Sequence, residues 1–242
     1  MILVAGSANL DFVVRAPHIP APGETVLGRE FKTYPGGKGA NQAVACARAG
    51  GAPTHMLLAL GDDLYARPLE ESLNAANVKL HIVRDAAQAT GTAFICVSDD
   101  AENAITVAPG ANAALQAHHL PTLDGVSHLL MQLETPMETV TAYAKAARAK
   151  GVRVVLNAAP AQSLPARLPS TDARPPPSWS AGTSPDEARD TDPARLAIRR
   201  WAWSATTEGS SSACRGSVAE ARTTAERIRS RGSISPSDGR TG

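Results

Sequence analysis

The chain has 242 residues, 43% hydrophobic and 19% charged, enough for one large α/β domain or two small ones. Its 24 basic and 23 acidic side chains leave a net charge of +1, so no global field draws it onto nucleic acid or anionic lipid. Cys46, Cys96 and Cys214 are too scattered for a disulfide framework and lack the paired spacing of a structural zinc site.

In chain order, Ile2 to Ala5 is a short apolar run ending at Gly6, which predicts a buried strand. It meets Asn9 and Asp11 at once and has no basic flank, so no signal peptide is expected. Asp11 to Val14 and Thr25 to Tyr34 carry β-type residues around the Pro20-Ala-Pro-Gly23 turn and predict lid or edge strands. A glycine-rich run then opens a helix over Ala40 to Ala49, with Ala40, Ala43, Val44 and Ala47 on one face and Gly50-Gly51 as its stop. Thr54 to Leu60 reads as a strand, and Gly61-Asp62-Asp63 opens a helix running to about Ala76. Further strands are expected at Val78–Val83, Thr92–Val97, Ala104–Val107 and Leu129–Gln132. A helix over Pro136–Lys150 and a strand over Val152–Leu156 follow. Strands alternating with helices predict an α/β fold, a Rossmann-type parallel sheet with a small β lid. No run reaches the about 18 apolar residues of a membrane span, and the expected location is the cytoplasm.

Beyond about Pro165 the character changes. No lysine follows Lys150, arginine supplies the basic charge, and Ser, Thr, Pro and Ala dominate. Residues 1–165 therefore read as the folded part, with a sheet left incomplete, and 166–242 as a mostly disordered tail, because so few aliphatic residues cannot offset chain entropy of about 1–2 kcal/mol per residue. Val218 to Arg231 has at most the pattern of a short solvated helix. Three accounts of the tail compete: a natural disordered extension, a basic partner-binding segment, or an out-of-frame translation of GC-rich DNA, the last being preferred.

Three polar clusters follow expected strands, where an open α/β sheet binds its ligands. In Gly6-Ser-Ala-Asn9-Leu-Asp11, an amide and a carboxylate two apart on an extended segment point to one side and suit a polyol; a plain turn explains them as well. In Pro35-Gly36-Gly37-Lys38-Gly39-Ala40-Asn41-Gln42, glycines allow close approach of a ligand to the backbone at a helix N-terminus. This is not a Walker A loop, because Gly39 stands where Ser or Thr would follow the lysine; a glycine-rich helix entry with a solvated lysine is the bland alternative. Glu134 ends a strand before a Pro-started helix, as a sugar ligand or as an acid placed to favour the helix dipole.

Together these stretches resemble the ribokinase, or phosphofructokinase-B type, carbohydrate kinase family. The resemblance rests on Gly6-Ser-Ala-Asn-Leu-Asp11, Pro22-Gly-Glu-Thr25, Gly36-Gly-Lys-Gly-Ala-Asn-Gln-Ala43, Gly61-Asp-Asp63, Thr90-Gly-Thr92, Gly110-Ala-Asn-Ala-Ala-Leu115, Met131-Gln-Leu-Glu134 and Asn157-Ala-Ala-Pro-Ala161. It covers about residues 1–165. It implies ATP-dependent phosphorylation of D-ribose with Mg2+ and K+ activation. The sugar would be held by Asn9, Asp11, Gly37, Lys38, Gly39, Asn41 and Glu134. Lid strands near 12–34 and 92–108 would close over the sugar and could build a homodimer contact. The family's Gly-Asp motif near the C-terminus, source of its catalytic base, has no counterpart here, nor do Asn-Glu, a strand carrying Thr-x-Gly, or the potassium-site residues. No catalytic, nucleotide or metal residue is therefore assigned. The resemblance points to a ribose kinase; the missing motifs point to an inactive truncated or frameshifted fragment; a sister sugar or nucleoside kinase is the third reading.

Overall fold

A computed structural model describes residues 1–162. The expected tail and its Val218–Arg231 helix lie outside the described residues. Two sheets organise what is described. The first contains β1 (Ile2–Ala5), β4 (Thr54–Gly61), β5 (Lys79–Asp85), β8 (His128–Met131) and β9 (Arg153–Leu156), all parallel, in the order β5-β4-β1-β8-β9. The second, the lid, contains β2 (Asn9–Arg15), β3 (Glu30–Gly36), β6 (Gly91–Val97) and β7 (Asn103–Ala108), in the order β3-β2-β6-β7.

The apolar runs of β1, β4 and β8 follow from cover on both faces of the parallel sheet. Ile2, Val4, Met56, Leu58, Leu60 and Leu130 pack on one side with α1 (Lys38–Gly50) and with Leu69 and Leu73 of α2 (Ala66–Ala75). Leu3, Ala5, Leu57, Ala59, Leu129 and Met131 pack on the other with Val140, Tyr143 and Ala144 of α3 (Met137–Ala149) and with the 3-10 turn Gly110–Ala114. Period-two alternation thus feeds two cores from one sheet.

Three boundaries depart from expectation, each for a physical reason. The strand expected at 25–34 runs instead from Glu30 to Gly36, because its register is set by antiparallel pairing with β2 from Arg15↔Glu30 to Asn9↔Gly36. Pro35 is accepted inside it because β3 is an edge strand, where a missing N–H costs no ladder bond. The helix expected from Gly61 starts at Ala66. Asp63 Oδ1 accepts from the Tyr65 and Ala66 N–H groups at 3.0 and 3.2 Å, so it ends the loop and supplies the cap. The strand expected from Asp11 begins at Asn9, which places Asn9 on the lid rather than in a turn. Two 3-10 turns, Gly110–Ala114 and Ala117–His119, were not expected; they are too short to leave a periodic signal.

Candidate sugar-binding site

The site is built where β1 ends and turns into the lid. Gly6 has no room for a side chain: a Cβ there would lie 1.8 Å from Gln132 Oε1. The N-terminus of α1 closes onto the same turn. Gly37 takes φ +90°, a conformation other residues rarely adopt. At Gly39 a Cβ would come within 2.6 Å of both the N and the O of Ser7. That close approach lets Ser7 O accept from the Ala40 N–H at 2.8 Å and Ser7 Oγ accept from the Gly39 N–H at 3.2 Å.

Glu134 joins this cluster from the loop after β8. One of its oxygens, Oε2, accepts from Ser7 Oγ at 2.5 Å and from the Lys38 N–H at 3.0 Å. The other, Oε1, pairs with Lys38 Nζ at 3.2 Å. The Glu134 side chain is 10% exposed and that of Lys38 39% exposed, so the pair forms a rim with the lysine outward. Glu134 thus serves as a fixed acceptor locked by three donors. This geometry goes beyond an acid placed for the helix dipole, since its carboxylate is tied to the β1–β2 turn as well as to α1.

Asp11 faces the same space from the lid. Its carboxyl occupies the room opened by Gly36, where a Cβ would lie 2.1 Å from Asp11 Oδ2. Burial, reinforced by the Glu134 charge and offset in part by Lys38, pushes its pKa from 3.8 up to about 6. Asp11 thus feels the charges of both Glu134 and Lys38, and the two carboxyls with the one ammonium make a set of acceptors and a donor suited to neighbouring hydroxyls. Asn9 is buried, and its Oδ1 accepts from Asn112 Nδ2 at 2.7 Å. Its NH2 is then the end with donors to offer. Asn41 is exposed on the first turn of α1, one residue beyond Ala40, at the i+3 position from Lys38 and therefore on the same helix face.

Asn9, Asp11, Gly37, Lys38, Gly39 and Glu134 are thus brought to one end of the parallel sheet, and Asn41 stands on the helix that frames it. Sequence reasoning passed over Ser7 and Asn112. Asn112 is 1% exposed. Its Oδ1 accepts from the Ala8 N–H at 3.0 Å, and its Nδ2 donates to Asn9 Oδ1 and to Pro109 O. The same amide also reaches Ala8 O at 3.3 Å. Gly91 leaves it space, since a Cβ there would meet Asn112 Nδ2 at 2.2 Å. Both residues sit within stretches that carried the family resemblance, and that was the available signal. Among the described residues no group of three or more His, Cys, Asp or Glu side chains could hold a metal ion, and no helix is long and apolar enough to cross a membrane.

A sequence profile described as "pfkB family carbohydrate kinase" matches residues 1–175. Ribokinase of Haemophilus influenzae is 39% identical over 168 residues, which is 67% of this chain and 55% of that protein. Among solved structures, ribokinase from Thermotoga maritima superposes with a TM-score of 0.60 at 36% identity, covering 68% of this chain and 55% of the other. Arabidopsis thaliana ribokinase complexed with ribose and ATP gives a TM-score of 0.56 at 32% identity, covering 64% and 52%. The chain therefore spans about half the length of the relatives it matches.

Proposed function

Because the chain belongs to the pfkB family of carbohydrate kinases and is ribokinase-like within it, we propose that its described residues grip D-ribose for phosphorylation at the primary hydroxyl. The observation that carries this reading is the Ser7–Glu134–Lys38 cluster set opposite Asp11. Sugar hydroxyls donate to the Asp11 and Glu134 carboxylates, Lys38 Nζ donates to sugar oxygens, and Asn9 and Asn41 supply further amide donors. Holding several hydroxyls at once leaves the remaining one aimed outward, and phosphoryl transfer depends chiefly on such positioning and on exclusion of water. The lid sheet, whose β2 carries both Asn9 and Asp11, is the element able to close over the sugar.

ATP supplies the phosphoryl group when bound, with Mg2+ and K+ in the family's pattern; the described residues are assigned to the sugar alone. A kinase of this kind works in the cytoplasm, where ATP is available. Self-association through the lid belongs to the same reading: exposed apolar side chains stand on both of its faces, Phe31 and Phe94 on one and Tyr34, Ile105 and Val107 on the other, and exposed apolar surface of this kind marks interfaces.

A second reading is favoured by a specific observation. The sequence after Leu156 holds no Gly-Asp motif of the family's kind, and loss of a general base alone costs about 10²–10⁴ in rate. On that reading the chain binds sugar without turnover. One experiment separates the two: ADP release from ATP, coupled to a reporter, with and without ribose. Ribose-dependent turnover above the enzyme-free blank supports the kinase. No turnover, together with ribose binding in equilibrium dialysis that Asp11→Asn abolishes, supports the binding module. Absence of both overturns the sugar site. Competition by fructose or adenosine in the same dialysis tests the sister activities.

A further inference from the structure

At the opposite end of the parallel sheet, far from the sugar cluster, two histidines meet across adjacent strands. His55 is the second residue of β4 and His81 the third of β5. His55 Nδ1 lies 3.1 Å from His81 Nε2, with ring centres 5.3 Å apart and planes tilted by 39°. Both rings are half-buried. They stand on the face that carries Leu57, Ala59 and Val83, as period-two alternation requires. Gly61, where β4 ends, lies six positions beyond His55, about 20 Å of strand.

We propose that His55 and His81 form a two-histidine site for a borderline-soft divalent cation such as Zn2+. The geometry fits. Two imidazole nitrogens each about 2.0–2.1 Å from one tetrahedral ion lie about 3.3 Å apart, with ring centres about 5 Å apart. The observed separations match to within a few tenths of an ångström, so a modest ring rotation suffices. The hydrogen bond that now joins the rings is no obstacle. The donor ring shifts its proton to its outer nitrogen, Nε2 of His55 or Nδ1 of His81, and both inner nitrogens then present lone pairs. No net proton is lost, and water completes the coordination. Burial, with Lys79 nearby, holds both imidazoles below the usual histidine range, which keeps them neutral as ligands must be.

Imidazole nitrogen selects zinc, copper or nickel over magnesium, so this site is chemically distinct from the Mg2+ that accompanies ATP. It joins β4 to β5, the outer strand of its sheet, and a cation held by both rings favours the folded state, which alone brings them together. Lys79 is the residue paired with His55 in the strand register, and its ammonium opposes a cation at this position.

The test is titration calorimetry of Zn2+ into the full chain at pH 7.5, with thermal unfolding followed in parallel. One micromolar-range site is expected, with a rise in Tm on adding Zn2+. His55→Ala and His81→Ala should each weaken this site at least tenfold and remove the metal-dependent rise in Tm. Far-UV circular dichroism and Tm without metal establish that each variant is folded. Lys79→Gln should tighten binding, and His118→Ala, in a separate histidine pair, should leave it unchanged. Zn2+ affinity unchanged in either His55→Ala or His81→Ala, or no Zn2+ binding by the wild type, overturns the proposal.

Discussion

Asp11 couples the site to pH. Its carboxyl titrates near pH 6 in the fold, against 3.8 for an ordinary aspartate. The folded state therefore holds this proton more tightly than the unfolded chain. The stabilisation Asp11 gives is full below about pH 4 and lost as pH rises towards 6. Above that, the charged carboxylate is a burden on the fold, one that the proposed sugar would relieve by donating its hydroxyls. Asp11→Asn should accordingly raise stability at pH 7.5, with the gain closing as pH falls to 4, while ribose binding is lost. Urea denaturation at the two pH values, with ribose dialysis, checks both halves. In the wild type, ribose affinity should fall about tenfold per pH unit below 6, where the acceptor becomes protonated. Asn112 is the second residue on which the site turns. Asn112→Ala leaves the buried Ala8 N–H and the Asn9 amide without their partner, a loss of about 1–3 kcal/mol readable as a shift of the urea midpoint. Asn112→Asp, which keeps the acceptor for Ala8 but sets a second carboxylate oxygen against Asn9 Oδ1 and Pro109 O in a buried position, should lose at least as much. The resemblance already pointed to Asp11 from sequence, but Ser7 and Asn112 were not picked out, because their partners lie 127 and 104 residues away.

At the scale of elements, α1 shows packing overruling propensity. Ala is the best helix former and Gly among the poorest, so propensity alone says that Gly39→Ala should stabilise. The backbone of Ser7 stands 2.6 Å from where that methyl would sit, and backbone cannot rotate away. The variant should lose about 1–3 kcal/mol instead, measured by urea denaturation. The lid makes a complementary point. Its pairing puts Phe12, Phe31 and Phe94 on one face, where Phe12 stacks on both other rings and meets Tyr65 edge-on. The alternate residues Asp11, Tyr34, Ile105 and Val107 share the other face. The lid is a mixed sheet, parallel between β2 and β6 and antiparallel at its edges, and it carries exposed apolar side chains on both faces. Ile105, 54% exposed, is a sensitive probe of self-association. Ile105→Glu should move the protein towards monomer in sedimentation velocity, leaving its circular dichroism unchanged. The alternation of strands and helices was legible in the chain, whereas the ends of β3 and α2 were not. Those ends answer to the Arg15↔Glu30 register and to the Asp63 cap, neither of which is a periodic signal.

On the scale of the molecule, one five-stranded parallel sheet separates two apolar cores and two polar sites. The loops that carry the proposed sugar site gather at the carboxyl ends of its strands, where open α/β sheets generally bind ligands. The histidine pair occupies the other end of β4. Leu130, fully buried in the layer beneath α1, is a measure of how far the described part behaves as one cooperative unit. Leu130→Ala should cost about 2–5 kcal/mol and lower the urea midpoint. Since Leu130 lies only four residues before Glu134, ribose binding should weaken along with it.

The sequence by itself determined the local pieces: the apolar period of β1 and α1, the glycine-rich entry to α1, and the Asn9/Asp11 and Gly36–Asn41 stretches that carry the family resemblance. Each depends on residues adjacent in the chain, so composition and spacing record it. Only the tertiary structure decided that Glu134 is locked by Ser7 and Lys38, that Asp11 titrates near 6, and that His55 meets His81. The strand order β5-β4-β1-β8-β9 does not follow chain order. Contacts between its distant segments set charge, burial and reach, and none of these is written in the spacing of neighbours.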